Sequence, residues 1–182
     1  MANFFESIKD MFEPFVDGEE KNPLHVGEVM NLWLLLTLFE EGLTVYQIGL
    51  NTTVDQQLQH ALKNGEKESS YMANQLRTFL RKEGIPLPPA SEDKPASETN
   101  SIPLGVKYTD EEIANLVSTK VAAEIALIGQ TLGQSIRSDV GQFLLQILYG
   151  TLKFSSSMKK MMQERGWLKI PPYFYPPGSP VK

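Results

Sequence analysis

From Leu24 to Leu50 apolar side chains return at helical intervals. Val29, Leu32, Leu36, Leu43 and Leu50 share one face, with Trp33 and Phe39 beside it. The spacing predicts a long buried helix. Its most apolar run, Leu32 to Phe39, is bracketed by Glu28, Asn31, Glu40 and Glu41. It falls far short of the roughly 20 apolar residues that cross a bilayer, so a core helix and no membrane span is expected. In the stretch NTTVDQQ, Thr53 and Gln56 have capping-box spacing: the threonine oxygen accepts from an early backbone N–H while the glutamine reaches back to the cap. A second helix is predicted from there, with the stripe Val54, Leu58, Ala61, Gly65, Met72, Leu76 and Phe79. Gly84, free to take the left-handed conformation that closes a helix, ends it ahead of Pro86, Pro88 and Pro89.

The following stretch, PLPPASEDKPASETNSIPLG, is rich in proline, serine and charge and has no period. It predicts a mobile connection that crosses the length of the domain. Thr109 to Glu112 form a second capping box whose acids complement the helix dipole, opening a third helix that runs to about Ser135. A fourth runs from about Ser138 to Arg165 and stops at Gly166, since the proline-rich WLKIPPYFYPPGSPVK cannot continue it. Met158, Met161 and Met162 lie at helical spacing and are expected in the core. The chain thus divides into an amphipathic segment, residues 1–20, a bundle, residues 21–172, and a Pro/Tyr-rich tail, residues 173–182. Within the bundle, hairpins 24–84 and 109–166 flank a crossover at 85–108.

Displaced by 84 positions, the chain matches itself. Glu28 pairs with Glu112, Asn31 with Asn115, Leu32 with Leu116, Glu40 with Glu124, Leu43 with Leu127, Gly49 with Gly133 and Asp55 with Asp139. Roughly two such identities are expected by chance from common residue frequencies. Shared capping rules account for the similar endings of two hairpins but not for Asn31/Asn115 or Glu40/Glu124, so an internal duplication is expected. Two similar hairpins joined by a long crossover predict an all-α fold, a ferritin-like four-helix bundle.

Composition narrows the chemistry. The 182 residues suit one domain, and the 41% hydrophobic and 21% charged fractions are those of a globular chain. A net charge of -5 gives no electrostatic reason to expect nucleic acid. The absence of cysteine removes disulfides, thiol nucleophiles and cysteine-ligated metals. The N-terminus MANFFESIKDMFEPFV lacks the basic start and cleavage site of a signal peptide, so cytoplasmic synthesis is expected.

Ferritin-like enzymes hold two metals with one Glu from each of two helices and a Glu-x-x-His from each of the others. Glu40 and Glu124 occupy the first two positions, and Glu68 falls inside the second helix's stripe. Three residues after Glu68 stands Tyr71 instead of histidine, and YGTLKFSSS in the fourth helix offers neither acid nor histidine. Of the two histidines, His25 starts the first helix and His60 lies off the second stripe. No cofactor is expected, and Glu40, Glu68 and Glu124 are only weak metal candidates. Lys120, one turn before Glu124, instead predicts a buried polar cluster in which its ammonium, with Gln47 and Tyr71 as donors, replaces metal charge among the three acids. The alternative is that Glu40 or Glu124 faces solvent through a gap in the bundle. No catalytic constellation or phosphate-binding glycine loop is present, and the serines of SSYM and KFSSSMKKMM lack an adjacent histidine base.

Both termini are candidate interaction segments. Phe4, Phe5, Ile8, Met11, Phe12 and Phe15 give the first an apolar face, expected to pack on the bundle or on a second copy in a homodimer. Tyr173, Phe174 and Tyr175 lie in a tail that favours an extended polyproline conformation, against a neighbour or folded back on its own bundle.

The stretches EVMNLW, GIPLPP, VKYTDEEIANL, SIRSDVGQF and ERGWLKIPP together resemble an uncharacterised family of ferritin-like proteins from endospore-forming bacteria, related to spore coat protein F. The resemblance spans Leu24 to Pro172. It implies the bundle and an association with sporulation or the spore coat, with other coat proteins as partners, and it brings no catalytic residues to carry over. The expected function is therefore a non-enzymatic structural or interaction protein. The alternative is a ferritin-like metal-binding protein or oxidoreductase with an atypical carboxylate site.

Overall fold

The computed structural model describes Glu6 and residues 22–178. Among these residues the chain forms four α-helices and no strand: α1 (Val26–Thr52), α2 (Gln56–Lys82), α3 (Asp110–Gln134) and α4 (Ser138–Glu164). One short 3-10 turn, Thr99–Ser101, interrupts the connection from α2 to α3. The four-helix bundle is the architecture the sequence predicts.

The helix starts follow from local chemistry. At α3 the predicted box forms: Thr109 Oγ1 accepts from Glu112 N at 3.2 Å and Glu112 Oε2 accepts from Thr109 N at 2.8 Å. At α1 a histidine does the same work, with His25 Nδ1 accepting from Gly27 N and Glu28 N, and Glu28 Oε2 accepting from His25 N. The box predicted on Thr53 and Gln56 does not form. Thr53 instead closes α1, its N–H bonded to Gly49 O, and the cap of α2 passes to Asp55, whose Oδ1 accepts from Leu58 N at 2.9 Å. A carboxylate there accepts more strongly than a hydroxyl and meets the positive end of the helix dipole. Gly84 and Gly166 end α2 and α4 at φ +73° and +70°, each followed by a residue whose N–H turns back to close the last turn.

α1 packs closely against α2 and α3, and α3 against α4, while α2 and α4 meet more loosely. His25 Nε2 bonds Gln134 O at 3.1 Å, and a Cβ on Gly49 would stand 2.9 Å from Ile113, so α1 and α3 run antiparallel. The core forms two adjoining clusters. One is built on Leu32, Leu35, Leu36, Phe39, Leu76, Ile128 and Leu144, the other on Tyr46, Leu58, Leu62, Val117, Val121, Met158 and Met162. The methionines are in the core as expected. The second half of the predicted α1 stripe is displaced: Leu43 and Leu50 are half-buried, while Tyr46 and Gly49 face inward. Of the predicted second stripe, Val54 is exposed ahead of α2 and Ala61 and Phe79 are half-buried, with Leu62, Ser69, Ala73 and Leu80 inside.

The crossover does cross the bundle, but side chains of α1 hold it in place rather than leaving it a loose connection. Trp33 Nε1 donates to Pro86 O, Ser91 Oγ to Glu41, Gln47 Nε2 to Asp93, and Asn51 Nδ2 to Pro95 O; Lys94 N and Ser97 N return bonds to Gln47 and Asn51. Trp33 to Asn51 is about 27 Å of helix, and eleven residues of extended chain at about 3 Å each cover it.

The tail residues Tyr173, Phe174 and Tyr175 are exposed. Phe4, Phe5, Ile8, Met11, Phe12 and Phe15 lie outside the described residues. No helix among the described residues is long and apolar enough to cross a membrane.

Candidate functional site

The middle of the bundle holds a charged cluster made possible by a missing side chain. Lys120 of α3 lies across α1 at Gly42, where a Cβ would overlap its Cε and Nζ. Phe39 and Tyr46, three residues before and four after Gly42, wall the ammonium with their rings, 5.5 and 4.7 Å from Nζ to the ring centroids. Nζ stands 2.9 Å from Glu124 Oε1 and donates to Ser69 Oγ at 3.1 Å and Tyr46 Oη at 3.4 Å. The Lys120 and Glu124 side chains are 9% and 2% exposed. The two form an ion pair between neighbours one turn apart on α3.

Burial pushes the Lys120 ammonium below its ordinary 10.5 despite the carboxylate beside it. Burial likewise pushes the Glu124 carboxyl above 4.5 despite the ammonium. Each ion thus offsets only part of the other's lost hydration. Burial, and then the charge of Glu124, push the Tyr46 phenol far up, so it stays protonated.

The rest of the predicted cluster lies elsewhere. Glu40 is buried but pairs with Arg77 of α2, whose Nε and Nη2 both reach its Oε1 at 2.7 Å. Gln47 points outward and clasps the crossover, and Tyr71 is exposed. Glu68 is exposed, at the rim of a 20 Å³ cavity that Ser69, Met72, Glu124, Gly150 and Phe154 also line. Sequence reasoning missed Tyr46, Ser69 and Arg77. One signal was available for the first: a glycine in mid-helix is less favourable than alanine by about 1 kcal/mol and marks a close approach, and Tyr46 lies one turn beyond Gly42.

The donor set does not fit a two-metal carboxylate centre. Glu40 and Glu124 are each taken up by a cation of the chain, and among the described residues no three His, Asp or Glu side chains stand together. His25 is spent on the α1 cap, and His60 is exposed and bonded to Asn64.

A second polar network ties the end of the bundle. Buried Glu28 accepts from Ser135 Oγ at 2.8 Å, Ile136 N at 3.0 Å and Arg137 N at 3.1 Å, so α1 caps the turn between α3 and α4. Burial pushes this carboxyl up, but the bonds from Arg137, Ser135, His25 and Ile136 outweigh it and hold it below 4.5. The Arg137 guanidinium makes paired bonds to Glu83 and Asp139 and one to Asn22 O; the bonds to Glu83 and Asp139 hold it far above its ordinary value. At the other end, Arg165 reaches Asp55 at 2.6 Å. Between these two clasps the α2/α4 seam opens into a groove of 280 Å³ lined by His60, Asn64, Phe154, Met158, Lys160 and Glu164 among others.

Comparison with known proteins places these features in a family context. The profile of the family described as "Protein of unknown function (DUF3231)" matches residues 15–179. A protein of Bacillus subtilis (strain 168) described as "Uncharacterized protein YvdQ" is 29% identical over 153 residues, 84% of this chain and 90% of that one. The crystal structure of "a putative spore coat protein" from Bacillus halodurans C-125 superposes with a TM-score of 0.82 at 33% identity, covering 85% of this chain and 98% of the other. A DUF305 fragment from Deinococcus radiodurans shares the fold alone, with a TM-score of 0.62 at 15% identity over 79% of this chain and 99% of that one.

Proposed function

Since the chain belongs to the DUF3231 family of proteins of unknown function, we propose that it is a non-enzymatic structural or interaction protein of the sporulating cell, made in the cytoplasm for the spore coat. The observation that carries the non-catalytic part is the middle of the bundle. Where a ferritin-like enzyme would gather carboxylates around metal, Glu124 faces Lys120 and Glu40 faces Arg77. The sporulation part rests on the likeness to the Bacillus halodurans protein. A ferritin-like ancestry related to spore coat protein F, with one hairpin duplicated into two, belongs to the same reading. Its support is the pair of capping boxes 84 positions apart, His25/Glu28 and Thr109/Glu112, and the long crossover between hairpins. The exposed Tyr173, Phe174 and Tyr175 are the side chains offered to other coat proteins or to another copy.

Probing the coat extract, forespore and mother-cell cytoplasm of a sporulating culture of the native host with an antibody tests this. Enrichment in the coat extract supports the proposal; presence only in vegetative cytoplasm overturns it. Elemental analysis after loading with iron or manganese tests the non-metal reading, which about two bound ions per chain, lost in Glu40→Gln, would reverse.

A further inference from the structure

One face of the bundle is uncharged. Between Lys120 and Arg137 the sole charged residue of α3 is Glu124, which is buried. Ala122, Ala123, Ala126, Gly129, Gln130 and Gly133 are exposed there, and a Cβ added at Gly129 or Gly133 would meet nothing. α1 runs antiparallel beside this surface and exposes Val26, Met30 and Leu34 on three successive turns, the first two 84% and 59% accessible. The His25–Gln134 bond and the passage of Lys120 over Gly42 set the register. Met30 is therefore level with Gly129 and Gln130, and Leu34 with Ala126. Ile136, 71% accessible, continues the patch past Val26, its N–H held by Glu28. The exposed sides of α2 and α4 differ, carrying Lys63, Lys67, Glu68, Arg81 and Lys82 on one and Lys153, Lys159, Lys160 and Glu164 on the other. A surface of small and apolar side chains without charge, broken only by Gln130 and Gln134 on α3, is what a buried interface looks like.

The chain itself supplies a matching occupant. Residues 1–21 reach the described structure at Asn22, whose carbonyl Arg137 holds at the same end of the bundle as Val26 and Ile136. At 100° per residue, Phe4, Phe5, Ile8, Met11 and Phe12 fall within one arc, with Glu6, Asp10 and Glu13 opposite. Glu6 has helical backbone and an exposed side chain. Pro14 ends such a helix, and Gly18 lies in the stretch that would return the chain to Asn22. Residues 4–13 make about 15 Å of helix against about 12 Å from Val26 to Leu34. Residues 14–21 span up to about 27 Å, enough for an antiparallel return.

We infer that residues 4–13 dock as an amphipathic helix on the uncharged α1/α3 face of their own chain, phenylalanines inward and acids to solvent. The occupant shares the length, the apolar character and the end of the bundle with the face it covers.

The chain has no cysteine, so Met30→Cys in the full-length protein carries a single benzophenone label. Irradiation is expected to cross-link it to peptides from residues 1–21 at the mass of one chain. Adding Phe5→Glu and Phe12→Glu is expected to lower that yield about tenfold or more, as two buried rings are lost. A label at Lys159→Cys on α4 is expected to give no such product. Cross-links at the mass of two chains, to either the segment or the α1/α3 face of a second copy, overturn the inference. So do products lacking residues 1–21, or equal yields from Met30→Cys and Lys159→Cys.

Discussion

Lys120 Nζ lies 2.9 Å from Glu124 Oε1 across one turn of α3, and the two charges share a site with the rings of Phe39 and Tyr46. Neither charge gains from being there alone: burial shifts each toward its neutral form. The pair therefore fixes which side chains meet more than it raises stability.

Removing one partner leaves a buried unpaired charge. Lys120→Met is expected to lower unfolding free energy by about 3–5 kcal/mol, and Lys120→Met with Glu124→Gln to recover most of it. Urea titration of the two single variants and the double variant gives the coupling. Additive losses would show that the pair does not act as a unit.

The same pair sets a pH dependence with a definite sign. A carboxyl whose folded value lies above 4.5 contributes stability that is full below 4.5 and lost as pH rises through the folded value. Without the ammonium the folded value of Glu124 rises further, so Lys120→Met is expected to melt progressively lower from pH 5 to 8. Glu124→Gln on that background should remove the slope, which thermal melts at four or five pH values will show.

Glu28 works in the opposite sense. Its carboxyl is held below 4.5 and that of Asp55 below 3.8, so their contributions are full above those values and fade as pH falls through the lowered ones. Glu28→Ala leaves the N–H groups of Ile136 and Arg137 without their acceptor and is expected to cost about 2–4 kcal/mol at neutral pH. Glu28→Gln should also flatten the acid limb of the stability curve, measured by guanidinium unfolding between pH 3 and 7.

Gly42 has a packing role distinct from any turn. Gly42→Ala would drive a methyl into the Lys120 stem, which Glu124 and Ser69 hold from the far end. A loss of about 1–3 kcal/mol is expected. A midpoint unchanged from wild type in the same urea titration would mean that the lysine swings aside freely.

The helices were legible from their long apolar runs, from the capping box at Thr109 and from the glycine stops at Gly84 and Gly166. The side-chain cluster was less so, for a physical reason. α1 is apolar on nearly every side, so its stripe does not single out an inward direction, and a rotation of one residue exchanges Gln47 for Tyr46. The partner of Glu40 is 37 residues away, and no local pattern distinguishes Arg77 from the other basic residues of α2. The cap of α2 was misplaced because Thr53 and Asp55 are both good capping residues and the end of α1 claims the first. The crossover reads as loose from its own composition because its partners, Trp33, Gln47 and Asn51, belong to another element.

The strap of residues 86–97 along α1 also changes how the two hairpins relate. It leaves them as two binding partners joined by a tether of nearly fixed span, and their docking behaves as an intramolecular event at high effective concentration. A single backbone cut at its exposed residues would turn that event into an ordinary bimolecular association. The mated faces of α1 and α3 would then hold two fragments together at protein concentrations above their dissociation constant and release them on dilution.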